Sequence, residues 1–275
     1  MITTDKKVPT PTLRIVPIEH IHPHEEHDQQ RSEPLLHTLR QSVYLTNPPI
    51  VAPLAEDSDE YVVLDGANRT YCFATLEYPH LLVQVVDYDS PFVELGVWNH
   101  VISAWDITAF IEKLAQIEHI QIQNGWNHHG VAQVLLQDGR ALAITATHET
   151  VEERNHILRD VVRLYQREAK LSRTAITDPL IIWSMYPDAV ALVVFPQYDP
   201  TDIIAAATHK AYLPPGVSRH IVQGRALKLN YPLAKLRDDQ TNLADKNADL
   251  QAWMQFKLSN RAVRYYAEST YQFDE

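Results

Sequence analysis

Short apolar runs separated by polar turns predict a mixed α/β unit in the first third of the chain. LRIVPIEHI is typical of a strand, and PPIVAPL and EYVVL predict two more strands on either side of the polar loop AEDSD. A helix is predicted over 32–44 by four apolar residues at helical spacing, Leu35, Leu36, Leu39 and Val43. A second helix is predicted over 67–77, and LLVQVVDY predicts the strand that follows it.

The rest of the chain shows a weak repetition of hairpin and helix. DITAFIEKLAQI has one apolar face, with Asp106 as a candidate N-cap, and VAQVLL and ALAITA flank an Asp-Gly turn that predicts a β-hairpin. A helix over 149–171 follows, then LIIWSMY and AVALVVF as a second strand pair, then a helix over 200–210. Two hairpin-plus-helix units indicate an α+β arrangement. The charged and aromatic residues of 237–275 predict a helical tail that packs on the body or on a second subunit.

Composition narrows the range of functions. A hydrophobic share of 45% in 275 residues is typical of a globular protein with one large or two ordinary domains. The net charge of −11 disfavours nucleic acid as a partner, except through a local basic patch. A single cysteine, Cys72, excludes an internal disulfide, and no run approaches the roughly 18 apolar residues of a membrane span. Since no secretory signal is visible either, we expect a cytoplasmic protein.

The glycines do not form a known phosphate-binding loop. GWNHHGVA has the glycine spacing of a P-loop, but Val131 and Ala132 stand where Lys and Ser or Thr are needed. The dinucleotide pattern G-x-G-x-x-G does not occur. A nucleotide would therefore require another binding device.

The stretch YVVLDGANRT predicts such a device, an anion site at a strand-to-helix corner. The strand ends at Asp65, Gly66 makes the turn, and the helix start presents free N–H groups and the positive end of its dipole. Arg69 would add a planar fork for phosphate oxygens, and Asp65 would hold Mg²⁺ or orient a hydroxyl. The competing interpretation is structural: Asp65 caps the helix and Arg69 pairs with a surface carboxylate.

The stretch EHIHPHEEHD is a candidate metal site. The spacing of His20, His22 and His24 fits no closed zinc site, and no cysteine is near. We interpret the stretch as a solvated loop that carries one working carboxylate. Either Glu25 or Glu26 would approach the corner at Asp65, and spacing does not decide between them.

The stretch LPPGVSRHIV predicts a stiff turn before an apolar segment. The turn delivers Ser218, Arg219 and His220 together, which suits a clamp on a carboxylate. An ordinary surface turn with a solvated arginine is the alternative.

Taken together, these stretches resemble a known family. Residues 13–88, with PHEEHDQQR, PPIVAPL and VVLDGANRT, resemble the ParB/sulfiredoxin-fold domain, and within it the free L-serine kinases. The likeness continues through VELGVWNHVISAW and PPGVSRHIVQGRALKLNYPLAKL, and so covers roughly residues 13–236. It implies a nucleotide-binding domain over 13–90 and a mixed α/β domain over 91–236 that contributes the substrate clamp. The helical extension over 237–275 is predicted from its residues and lies outside the likeness.

The resemblance implies a reaction and a role for each matching residue. These kinases phosphorylate free L-serine with ATP or ADP and Mg²⁺ to give O-phospho-L-serine. Glu25, which follows Pro-His, would be the general base for the serine hydroxyl, and Asp65 a second catalytic residue beside the Mg²⁺. The implied nucleotide-binding residues are Gly66, Ala67, Asn68, Arg69 and Thr70. The implied substrate-binding residues are Ser42, Trp98, Ser218, Arg219 and His220.

The phosphate loop departs from the family pattern. Ala67 and Asn68 stand where the kinases have two histidines, and Ala67 offers only its backbone N–H. The resemblance implies free L-serine and an adenine nucleotide as partners, and a homodimer contact is one role for the tail. The alternatives are a kinase for another small hydroxy amino acid and a non-catalytic ParB-like nucleotide-binding regulator or DNA-associated protein. No helix-turn-helix pattern with a basic face supports DNA binding.

Overall fold

The computed structural model describes residues 8–147 and 150–266 of the chain. The strands of this part are β1 (Thr12–Pro17), β2 (Ile21–Pro23), β3 (Tyr44–Leu45), β4 (Ile50–Pro53), β5 (Tyr61–Asp65), β6 (His80–Val85), β7 (Val93–Val97), β8 (Asn99–Ser103), β9 (Ile120–Asn124), β10 (Ala132–Leu136), β11 (Ala141–Ala146), β12 (Lys170–Thr174), β13 (Ala189–Val194), β14 (Ser218–Val222) and β15 (Tyr231–Pro232). The α-helices are α1 (Gln29–Gln41), α2 (Ala67–Thr75), α3 (Ile107–Leu114), α4 (Val151–Glu168), α5 (Pro179–Met185), α6 (Pro200–Thr208), α7 (Leu233–Arg237) and α8 (Leu243–Ser259). Across these described residues, the structure contains no helix with the length and apolar character needed to cross a membrane.

The first sheet has five strands in the order β1-β6-β4-β5-β2. It is mixed, because β2 runs parallel to β5 while β1 runs antiparallel to β6. The strands follow the predicted apolar runs, and Val51, Val63 and Val83 are fully buried in one core with Phe73 of α2. Because β2 and β5 are parallel neighbours, their C-terminal ends lie at the same edge of the sheet. Asp65 is the last residue of β5, and Glu25 lies two residues after the end of β2.

The C-terminal part of the chain returns to this first core. β15 pairs with β3, and Leu236 of α7 and Leu250 of α8 are fully buried against the sheet. The Asn247 side chain accepts a hydrogen bond from the Ile15 N–H and donates one to the Ile15 carbonyl, both at 2.9 Å. The tail thus packs as a helix on the body. The three-part domain division and the homodimer stay predictions, and residues 267–275 of the tail lie outside the described residues.

The second sheet has six strands in the order β12-β8-β13-β10-β11-β9, with every neighbouring pair antiparallel. α4 covers it and buries Leu158, Val161, Val162 and Tyr165. Its core also includes Leu64 of the first sheet, so the two sheets share one apolar interior. A separate two-stranded ribbon, β7 with β14, carries the predicted clamp.

Several local predictions are confirmed. The Asp106 side chain caps α3 by accepting from the Ala109 N–H at 2.8 Å. β10 and β11 form the antiparallel hairpin around the Asp-Gly turn. The first helix exists but begins and ends three residues earlier than predicted, because Asp28 caps it at its N-terminus.

Two predictions in the second half are wrong. LIIWSMY is helix α5 and not a strand, because Asp178 accepts from the Leu180 N–H at 2.9 Å and Pro179 occupies the first helical turn. Of the residues in α5 only Ile182 is buried, so the apolar run does not cross the core as a strand would. The helix predicted over 149–171 ends at Glu168, and the residues that follow form β12 against β8. The second hairpin-plus-helix unit is therefore absent from the described chain.

Candidate active site

The corner after β5 has the geometry of an anion site. Gly66 adopts φ +106° and precedes α2, and no side chain caps this helix start. Because Gly66 has no side chain to cap α2, the start of this helix carries N–H groups and the partial positive charge of the helix dipole. Ala67 and Thr70 line the large cavity in front of the corner, and the buried Thr70 hydroxyl has no hydrogen-bond partner within the described chain.

Gly66 is required at this corner for two reasons that can be separated by mutation. Its φ lies in the region that disfavours side chains, and an added Cβ would lie 3.1 Å from Pro49 Cα. Gly139 has a similar φ of +90°, but an added Cβ there meets no atom within 4 Å. We expect Gly66→Ala to lower the thermal midpoint more than Gly139→Ala, by roughly 2–4 °C for each kcal/mol of steric cost. Equal decreases of the thermal midpoint in the two variants, measured by calorimetry, would show that Pro49 can move away from the added Cβ without a loss of stability.

Asp65 and Arg69 contact each other and not the cavity. Arg69 donates to the carbonyl oxygens of Asn47 and Pro48, at 2.8 and 3.3 Å, and to Asp65 Oδ2 at 3.0 Å. Arg225 also donates to Asp65 Oδ2. Burial favours a higher pKa for Asp65, but the positive charges of Arg69 and Arg225 outweigh it and hold the pKa below its ordinary value. The phosphate fork predicted at Arg69 is therefore turned toward the protein, where it fixes the corner.

Asn68 joins the corner to α1. Its side-chain oxygen accepts from the Asp28 N–H at 2.8 Å, directly before the first turn of α1. The oxygen is thus used structurally, and the amide N–H₂ is the part that remains for a ligand. Asn68 therefore tethers α1 to α2.

The structure distinguishes the two neighbouring glutamates. Glu26 pairs with Arg163 at 2.6 Å and with Arg159 at 3.4 Å. Glu25 has no ion pair in the described chain, and its Oε2 accepts from the Gly216 N–H at 2.9 Å. Burial raises the pKa of Glu25 to about 7, against the opposing effects of the Gly216 N–H and of Arg173. Glu25 therefore has a pKa suited to proton exchange near neutral pH.

Two histidines support the wall behind Glu25. His24 is buried and donates from Nδ1 to the Val63 carbonyl, and its Nε2 accepts from the Ser218 hydroxyl at 2.6 Å. Burial lowers the pKa of His24 to about 4, and burial followed by the nearby His24 lowers that of His220 to about 3. Both rings are neutral at pH 7. The loop interpretation of this stretch is wrong for His24, which is part of the core, and no cluster of metal-ligating residues is found in residues 8–147 and 150–266.

The predicted clamp divides into two parts. Ser218 is buried against His24, and His220 lies 2.7 Å from the Tyr88 hydroxyl, so both are held by the protein. Arg219 stacks on the Trp98 ring at 4.4 Å, and no carboxylate of the described chain pairs with it. Trp98 lines the cavity, whereas Arg219 does not line it itself and lies beside it over the Trp98 ring.

Ser42 is not brought to the cavity. It follows the last turn of α1, where its hydroxyl donates to the Thr38 carbonyl at 2.9 Å. The cavity meets the opposite end of this helix, at Asp28 and Arg31. Thirteen helical residues separate the two ends by about 20 Å, so the expected contact of Ser42 with substrate is not supported.

The cavity has a volume of about 1590 Å³ and a wall of mixed charge. Its cations outnumber its acids, in contrast to the chain as a whole. They are Arg31, Arg163, Arg167, Lys170 and Arg173, against Glu25, Glu26 and Asp28. Such a wall attracts a polyanion into an otherwise acidic protein.

Sequence reasoning missed Arg173, which lines the cavity, and the buried His100, which contacts the same turn. Arg173 donates to the Pro215 carbonyl at 3.2 Å and lies 3.5 Å from Asp28. His100 is fully buried, and its Nε2 donates to the Gly216 carbonyl at 2.9 Å. No local pattern marks either residue, because each acquires its role by contact with the turn at Pro215, which is distant in sequence. The two prolines and the glycine of that turn were the available signal.

Comparisons with known proteins agree with this architecture. No protein-family model matches the chain. The ATP-dependent L-serine kinase SbnI of Staphylococcus aureus is 25% identical over 267 residues, which cover 96% of this chain and 97% of that protein. A ParB-like protein of Sulfolobus acidocaldarius is 36% identical over 53 residues, 19% of this chain and 27% of that protein.

The fold is also shared with solved structures. A mutant free serine kinase in complex with AMP superposes with a TM-score of 0.72, covering 85% of this chain and 98% of that chain at 14% identity. At this identity the likeness shows the fold. The resemblance and the α+β, ParB-like fold predicted from the sequence are confirmed.

Proposed function

We propose that this chain, which belongs with SbnI and the free serine kinases by sequence and fold, phosphorylates the hydroxyl of free L-serine. The phosphoryl donor is an adenine nucleotide, and the product is O-phospho-L-serine. The observation that carries the proposal is the state of Glu25. Its carboxylate has no ion-pair partner in the described chain, is oriented by the Gly216 amide and has a pKa near 7 beside a cation-rich cavity.

Glu25 acts as the general base. One carboxylate oxygen, Oε2, is occupied by the Gly216 N–H. The other oxygen is the one that accepts the hydroxyl proton as the serine oxygen attacks phosphorus. A base with a pKa near the working pH is both ionised in part and able to take a proton.

The nucleotide phosphates lie between the start of α2 and the cationic wall. The N–H groups after Gly66, the Asn68 amide and the Thr70 hydroxyl provide neutral donors at one side. Arg31 and Arg167 provide charge at the other, since neither is paired with a carboxylate in residues 8–147 and 150–266. Arg69 contributes by fixing the corner through Asn47 and Pro48.

Magnesium fits this site only as a companion of the phosphates. Mg²⁺ commonly keeps several waters and uses one or two carboxylates together with phosphate oxygens. Asp65 Oδ2 is already held by Arg69 and Arg225, and Asp65 does not line the cavity, so Asp65 would support the metal only indirectly, by fixing the corner. The metal would neutralise phosphate charge, while the protein groups orient the reactants.

The serine carboxylate is held by Arg219. The guanidinium lies over the Trp98 ring, 4.4 Å from its centroid, and no carboxylate of the described chain pairs with it. Its planar set of N–H donors suits a carboxylate. Ser218 and His220 position this strand through His24 and Tyr88 and do not need to contact the substrate.

We also propose that the protein acts in the cytoplasm. ATP and free serine are metabolites of that compartment, and Cys72 is a buried free thiol.

The proposal is tested by incubating the purified chain with Mg²⁺ and either ATP or ADP across a panel of free amino acids. We expect O-phosphoserine, detected by ³¹P NMR and mass spectrometry, with L-serine preferred over L-threonine and L-homoserine. Phosphorylation of a different hydroxy amino acid would redirect the proposal to that substrate. Absence of any phosphorylated amino acid with both nucleotides would overturn it.

The rate is expected to rise with pH around neutrality. The folded-state pKa of Glu25 is about 7, so the base is protonated and inactive below that pH and ionised above it. The value of kcat/KM for serine should therefore increase from roughly pH 6 to roughly pH 8 and then level. The residual activity of Glu25→Gln should lack this rise. A wild-type profile that is flat over the same range would assign the base to another group.

A further inference from the structure

The turn at Pro215 and Gly216 is built around the side chain of Arg173. Gly216 has φ +72°, and a Cβ added there would lie 2.1 Å from Arg173 Cζ. Only glycine allows the guanidinium to lie directly against the backbone at this point. Arg173 also pairs with Asp28 at 3.5 Å, so it connects the turn to the start of α1.

The two contacts of the Pro215–Gly216 peptide group are on opposite ends of one amide. Its carbonyl oxygen accepts from Arg173 at 3.2 Å, and its N–H donates to Glu25 Oε2 at 2.9 Å. A cation at the carbonyl end polarises the amide and strengthens the hydrogen bond that its N–H donates. Arg173 thereby influences Glu25 through a peptide group, in addition to its direct charge.

The next peptide group is fixed from the core side. The Gly216 carbonyl accepts from His100 Nε2 at 2.9 Å, and His100 Nδ1 accepts from the Tyr165 hydroxyl at 2.7 Å. Both side chains are fully buried, and burial lowers the pKa of His100 to about 4, so the ring is neutral with a defined donor. The amide facing Glu25 is therefore held on both of its sides.

We propose that Arg173 is a positioning residue for Glu25, which it orients through the Pro215–Gly216 peptide group supported by His100. The inference rests on the proposed function only in that Glu25 is the base of the reaction. Arg173 itself need not touch serine or nucleotide.

The charges around Glu25 determine whether replacing Arg173 raises or lowers the pKa of Glu25. Glu25 faces Arg173 from β12, Arg31 from α1 and Asp65 from β5, and the cations lower its pKa while Asp65 raises it. Arg173 in turn faces Asp28, whose charge it balances. Removing Arg173 therefore raises the pKa of Glu25, because a cation is lost and the amide hydrogen bond weakens.

The experiment compares Arg173→Met with Arg173→Lys and with the control Arg154→Met. Arg154 is a matched arginine: it pairs with Asp202 at 3.4 Å and is 26% exposed, against 3.5 Å and 25% for Arg173. The first readout is the pH titration of the Glu25 side-chain carbon by ¹³C NMR, assigned by its loss in Glu25→Gln. The second is the pH profile of kcat, with KM for serine and the dissociation constant for ADP measured in parallel.

We expect the Glu25 titration and the kcat profile of Arg173→Met to move to higher pH together. At pH 7 kcat should fall about three- to tenfold and recover in part at higher pH, while KM and ADP affinity change less than about threefold. Arg173→Lys should shift the titration less, because the charge is kept, and Arg154→Met should leave it unmoved. If Arg173→Met is insoluble, the same titration is measured in Arg173→Lys and in Tyr165→Phe, which removes the hydroxyl that contacts His100. Both variants should shift the Glu25 titration in the same direction by a smaller amount.

Several outcomes would overturn the proposal. An unshifted Glu25 titration in a folded Arg173→Met variant would do so, as would a large loss of ADP affinity at an unchanged pH profile, which would make Arg173 a phosphate ligand. An equal shift in Arg154→Met would indicate a general effect of lost charge. If the wild-type chain proves inactive while the titration shifts as expected, the proposed function fails and the positioning of Glu25 stands.

Discussion

Replacement of Glu25 by glutamine is expected to reduce O-phosphoserine formation by about 10²- to 10⁴-fold, the usual contribution of a general base. Glutamine has nearly the same shape and keeps an oxygen that can accept from the Gly216 N–H, so the turn should be preserved. It cannot take a proton from the serine hydroxyl. The loss should therefore appear in kcat, measured as phosphoserine formed at saturating serine and ATP, with ADP binding by calorimetry close to wild type.

The neighbouring Glu26 provides the matched comparison. Its carboxylate is engaged by Arg159 and Arg163, so Glu26→Gln should cost stability through two weakened ion pairs and less than about tenfold in rate. The two substitutions make the same chemical change at neighbouring positions. A larger loss of activity in Glu26→Gln than in Glu25→Gln would reverse the assignment of the base.

Replacement of Arg219 by alanine is expected to raise the KM for serine by roughly 10- to 100-fold, the value of a charge-assisted hydrogen bond. The reason is its position on Trp98, without a carboxylate partner in the described chain. Binding of the serine carboxylate is uniform through the reaction, so kcat should change far less than KM. Initial rates over a range of serine concentrations separate the two constants.

A change in the substrate tests the same contact from the other side. Serinamide lacks the carboxylate charge, so the wild-type chain should bind it weakly. Arg219→Ala should then cause little additional loss with serinamide, within about threefold, because the interaction is already absent. Equal losses for serine and serinamide would mean that Arg219 acts by packing on Trp98 and not by contacting the carboxylate. Arg219→Lys, which keeps a charge over the ring, should restore part of the serine affinity.

Much of the fold was predictable because its signals are local. The Asp-Gly turn between β10 and β11, the Asp106 cap of α3 and the glycine turn after Asp65 each depend on a few adjacent residues. The error at α5 has the same origin. An apolar run does not reveal whether it will be buried on both faces, as a central strand would be. Here Asp178 caps the run at its N-terminus, and the run forms a helix.

The candidate site was predictable in its position but not in its contacts. The sequence indicated Asp65 and Arg69 as a site for phosphate. In the structure the Arg69 guanidinium instead donates hydrogen bonds to the carbonyl oxygens of Asn47 and Pro48. Ser42 was expected at the pocket through resemblance, but it lies at the end of α1 remote from the cavity.

By itself the sequence determined most of the elements, the glycine turn after Asp65 and the likeness to the free serine kinases, because backbone propensity and motif spacing are properties of neighbouring residues. The resemblance pointed to Glu25, but only the tertiary structure shows why Glu25 and not Glu26 is free to act. Glu26 is neutralised by two arginines of α4, while Glu25 is held by an amide from residue 216 and influenced by Arg173. These groups are far apart in the chain, and the charge state of a carboxylate depends on what surrounds it in space.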